Sequence, residues 1–127
     1  MKLRIRNNSI RLRLQRAELE ALVRGGVLQD ALVLGPEPAD RLHYGIALSE
    51  APDIGVLHEP GTIKVLLPRA FADALAETER VGFEGEFPVA EDTVLRILIE
   101  KDFRCLVERP GEDESGAFPN PEEGGTC

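Results

Sequence analysis

The residues with the most chemical potential lie near the two ends of the chain. Lys2, Arg4 and Arg6 alternate with Leu3 and Ile5, and Arg11 and Arg13 alternate with Ile10, Leu12 and Leu14. On an extended strand, alternation sends every second side chain to one face. Lys2, Arg4, Arg6, Arg11 and Arg13 then share a surface. Like charges at that spacing repel, so anionic groups are expected beside them. Guanidinium forks match phosphate and carboxylate geometry. These five residues are therefore the candidate anion-binding set.

A second set is acidic. Glu84 and Glu86 are separated by one residue, and so are Glu100 and Asp102. On a strand each pair has its carboxylates on one face, about 7 Å apart. Beside the cations they have two readings. In the first they neutralise the basic face as an ion-pair lattice, and no cofactor is expected. In the alternative, Glu84, Glu86, Glu100 and Asp102 hold Mg or Mn, hard cations that take oxygen ligands and bridge to phosphate.

Other residue types offer less. His43 and His58, the only histidines, stand at no recognised metal spacing, and Ser9 and Ser49 at no triad spacing. Cys105 falls on an apolar parity, as a buried inert thiol would. With Cys127 it makes no Cys-x-x-Cys pair, which excludes a zinc ribbon and a thioredoxin-like centre. Two free thiols suit the cytoplasm. No catalytic residue is assigned.

The elements that must position these groups follow from periodicity and turn chemistry. Residues 2–14 read as a hairpin turning at Asn7-Asn8-Ser9. Residues 15–24 read as a helix stopped by Gly25-Gly26. Strands are expected at 27–34, 41–48 and 62–67, with a short apolar piece, Ile54 to Leu57, between Pro52 and Pro60. Pro68 opens a second helix through Thr78. Residues 82–88 and 93–103 read as strands. In the latter a helix competes, because Glu91-Asp92-Thr93 is a plausible start. Residues 108–127 hold six acids, one base, three prolines and four glycines, the composition of a tail. Phe118, its one large apolar side chain, is expected to dock on the domain.

The fold class is α+β: a mainly antiparallel sheet of six to seven strands with two helices, barrel-like closure being an option. One domain over residues 1–107 is expected, since 127 residues suit a single core. Hydrophobic residues make up 43% and charged residues 30%, a globular balance. No apolar run is long enough to span a membrane, and MKLRIRNNS lacks a signal-peptide core. Residues 1–16 carry six cations and no acid, while the rest has nine cations against 23 acids. That acidic remainder repels polyanions. No aromatic residue is interleaved with the hairpin arginines to stack a base. Both facts argue against nucleic acid as a partner.

Two resemblances add to this reading. Asn8-Ser9-Ile10-Arg11-Leu12-Arg13-Leu14, Ile99-Glu100-Lys101-Asp102-Phe103-Arg104-Cys105-Leu106 and Ala117-Phe118-Pro119-Asn120-Pro121 resemble a family of small uncharacterised bacterial proteins. That resemblance covers both ends of the chain and implies no activity. The paired carboxylates beside cations resemble the interior of triphosphate-tunnel enzymes, which implies a barrel and a metal-dependent phosphohydrolase. The departure is at the start, where that family has Glu-x-Glu-x-Lys and this chain has Lys2-Leu3-Arg4-Ile5-Arg6. The expected function is a small cytoplasmic, non-catalytic binding module. Its Arg-rich face would contact an anionic ligand or protein partner, the phosphohydrolase being the alternative.

Overall fold

The computed structural model describes residues 1–103. β1 (Lys2–Arg6) and β2 (Ser9–Leu14) form a hairpin, α1 (Arg16–Gly25) follows, and β3 (Val27–Val33) pairs with β4 (Arg41–Ser49). The same order then recurs. β5 (Gly55–Glu59) pairs with β6 (Thr62–Pro68), α2 (Arg69–Glu77) follows, and β7 (Gly82–Ala90) pairs with β8 (Thr93–Lys101). A hairpin–helix–hairpin unit is thus present twice, although no repeat is visible in the residues.

The two units interleave. The outer hairpins of the chain meet in one sheet, β1-β2-β8-β7, through the parallel pair β2–β8. The inner hairpins meet in the other, β3-β4-β6-β5, through the parallel pair β4–β6. The α+β class with two helices holds. The expected six to seven strands become eight, in two mixed sheets, and these do not join into a closed barrel. The additional strand is β5, grown from the short piece after Pro52, and it carries His58. Parallel pairing was hidden because it joins segments far apart in the chain, whereas hairpins announce themselves locally.

The period-2 reading of the last segment is the correct one. Ile97 and Ile99 point into the core while Arg96, Leu98 and Glu100 take the other face, so Thr93–Lys101 is a strand and its helical competitor fails. Ile10, Leu12 and Leu14 of β2 join them, with Ile46 of β4 and Val65 and Leu67 of β6. The helices contribute Leu19, Leu22, Ala72 and Leu75 to the same core. Fully burying the Leu, Ile and Val side chains among these stabilises by about 1.5–3 kcal/mol each.

Local chemistry sets the helix ends. Gln15 caps α1 in an extended conformation, and its N–H donates to the Glu18 carboxylate at 2.9 Å. Gly26 ends the helix at φ 81°, and its N–H donates to the Leu22 carbonyl at 2.7 Å. Pro68 closes β6 and caps α2 from outside the helix, where its missing N–H costs nothing. Phe71 of α2 stacks on Phe83 of β7 with centroids 4.3 Å apart, and the Arg80 guanidinium lies 3.9 Å from the Phe83 centroid. Among the described residues no helix is long and apolar enough to cross a membrane. The domain limit at 107, Cys105, Cys127 and the proposed docking of Phe118 lie outside the described residues.

Candidate functional site

The basic face is built by register. Antiparallel pairing sets Lys2 opposite Arg13, Arg4 opposite Arg11 and Arg6 opposite Ser9. Parallel pairing sets Ser9 beside Arg96 and Arg13 beside Glu100. On β7, Glu84 faces Leu98 and Glu86 faces Arg96. All five hairpin cations therefore share a face with Arg96, Glu100, Glu84 and Glu86, as alternation predicts. The opposite face carries Leu3, Ile10, Leu12, Ile97 and Ile99 to the core.

The two ends of this face differ. At one end the groups are paired, and Arg13, Glu100 and Asp102 are largely enclosed while Lys2 stays exposed. Arg13 is only 8% exposed, and its Nε donates to Glu100 Oε1 at 2.6 Å. Arg11 Nε lies 3.5 Å from the same oxygen. Lys2 Nζ reaches Asp102 Oδ2 at 3.0 Å, and the Asp102 side chain is 8% exposed. Of these contacts the Arg13–Glu100 bond has the short length of a strong charge-assisted hydrogen bond.

The other end is open. Arg6 and Arg96 are exposed. Arg96 Nε stands 3.8 Å from Glu86 Oε1, with side chains 74% and 63% exposed. Such a loose exposed pair contributes little. A shallow pocket of about 400 Å³, broadly open to solvent, lies here, lined by Arg6, Asn7, Asn8, Ser9, Val94 and Arg96. Its floor is held firmly. Asn7 takes the left-handed conformation at φ 50°, which asparagine tolerates. Ser9 Oγ donates to the Arg6 carbonyl at 2.7 Å, so this serine locks the turn. Asn8 Nδ2 donates to the Val94 carbonyl at 2.7 Å, and the Arg96 N–H donates to the Asn8 carbonyl at 3.1 Å. The turn is thereby fixed to the start of β8.

The four carboxylates of the acidic set separate in role. Glu100 and Asp102 engage hairpin cations, Glu86 faces Arg96, and Glu84 is exposed on β7. Among the described residues no three His, Cys, Asp or Glu side chains gather as a metal group. His43 and His58 pair with Thr62 and Ile63, consecutive residues of β6, so they point to opposite faces. The residue that sequence reasoning missed is Arg96. Its parity with Glu100 was legible, but its place beside Ser9 depends on the parallel β2–β8 register.

A family model described as "Family of unknown function (DUF7009)" matches residues 1–122. No curated protein and no solved structure matches the chain.

Proposed function

The chain belongs to that family of unknown function, and we propose that it is a small binding module whose basic face receives an anionic ligand. The observation that carries this reading is the asymmetry of the face. Carboxylates of the same fold engage Arg11, Arg13 and Lys2 at one end. At the other end Arg6 and Arg96 border an open cavity. A cation cluster that served only to neutralise acids would not leave arginines around a cavity with a fixed floor. Guanidinium groups held on strands suit anion recognition, because their forks lose less freedom on binding than lysine does. No residue is given a catalytic role in this reading, and a cytoplasmic setting fits the thiol usage.

The test is a nuclear magnetic resonance titration of the full chain with citrate, read on the arginine Nε–H signals. Binding at this face shifts the signals of Arg4, Arg6 and Arg96 and leaves those of Arg24 and Arg80 in place. Uniform or absent shifts at millimolar citrate would remove the reading.

A further inference from the structure

We propose that the cavity at the β1–β2 turn is a phosphate-monoester site with Arg6 and Arg96 as its two forks; this rests on the reading of the basic face as an anion-binding surface. The row of residues across the sheet is Arg6, Ser9, Arg96, Glu86, one from each of β1, β2, β8 and β7. Neighbouring strands lie about 4.8 Å apart, so the two arginines flank a small residue and rise on either side of it. The short Ser9 side chain, turned back to the Arg6 carbonyl, leaves the space between them open.

The ligand class follows from the number of forks. One guanidinium satisfies a carboxylate in bidentate fashion, whereas a terminal phosphate has three oxygens and accepts two forks at once. The pocket, about 400 Å³ and broadly open to solvent, leaves room for a small body beside the phosphate. Asn7, Asn8 and Val94 line the remainder, with no aromatic ring to stack a base. A small polar body such as a sugar fits these walls. Glu86 is the resident competitor: it faces Arg96 at 3.8 Å in an exposed, loose pair, from which a phosphate draws the guanidinium away. The turn itself needs no ordering, since two hydrogen bonds already fix it to β8 and the Ser9 hydroxyl closes it internally.

Calorimetric titration of the full chain with ribose 5-phosphate, inorganic phosphate and citrate tests the proposal. Ribose 5-phosphate is expected to bind more tightly than citrate. Arg6→Ala and Arg96→Ala each weaken it roughly 10- to 100-fold, the loss of one charged hydrogen-bonding group. Glu86→Gln strengthens it, because the competing charge is gone. All three side chains are exposed, so the variants keep the fold, which circular dichroism checks. If Arg96→Ala and Glu86→Gln leave ribose 5-phosphate affinity unchanged, the site is not there. If citrate binding then still falls in Arg4→Ala, the basic face remains an anion surface and only the phosphate site is lost. A wild-type chain that binds none of the three anions overturns both.

Discussion

Arg13 and Arg96 carry the same group in opposite surroundings. Arg13 is almost fully covered and holds Glu100 at 2.6 Å, whereas Arg96 is exposed and only loosely near Glu86. Removing Arg13 takes away a charge-assisted bond worth about 1.5–3 kcal/mol, while Arg11, 3.5 Å from the same oxygen, keeps Glu100 compensated. Removing one partner of an exposed pair costs about 0–1 kcal/mol. Urea melts of Arg13→Ala and Arg96→Ala should therefore separate widely, with Glu100→Gln falling on the Arg13 side. Equal midpoints for the two arginine variants would show that enclosure does not govern the lattice. The two ends of the face thus differ in their part in stability: one end holds the sheet, and the other, where the ligand site is proposed, contributes little.

At the scale of elements, the pairing of β3 with β4 depends on a glycine. A Cβ on Gly45 would lie 2.1 Å from the Leu28 carbonyl oxygen, a backbone atom that cannot swing aside. Gly45→Ala must push β3 off β4, and overpacking of this kind costs about 1–3 kcal/mol. The displaced strand is the outer one, with Leu32 and Val33 already more than half exposed. Loss of amide protection confined to Val27–Val33 and Arg41–Ser49 is the expected signature in hydrogen exchange. Unchanged protection there would mean that the two strands have slack the close approach does not suggest. The helices are less dependent on single positions. The end of α1 was legible because Gly25-Gly26 meets a fixed stereochemical need, and the capping of α1 by Gln15 and Glu18 is a local matter.

At the scale of the whole molecule, the interleaving of two hairpin–helix–hairpin units decides how the chain opens. Each sheet takes one hairpin from each unit, so neither unit completes a sheet alone. Central strands β2, β8, β4 and β6 are paired on both sides and supply most of the core. Their amides should exchange last and together, near the global unfolding free energy, while β1, β3, β5 and β7 exchange earlier on their outer edges. Protection of residues 9–49 that survives complete exchange of residues 62–101 would show two independently stable units and refute the interleaved account.

Local physics wrote much of this in advance. Alternating charge and apolar residues in 2–6 and 10–14 dictated a hairpin with its cations on one face, since side chains of a strand can only alternate. Glycine and proline marked the helix ends, because few residues adopt the backbone angles required there. Prolines around residues 54–57 disguised β5, as composition without a partner strand says little about pairing. What the residues in order did not contain was the union of β2 with β8 and of β4 with β6. Parallel pairing joins segments at long separation through hydrogen bonds any residue can make, so it leaves no local mark. That union alone brings Arg96 beside Ser9 and encloses Arg13 against Glu100, so that one end of the basic face is a structural lattice while the other lies open.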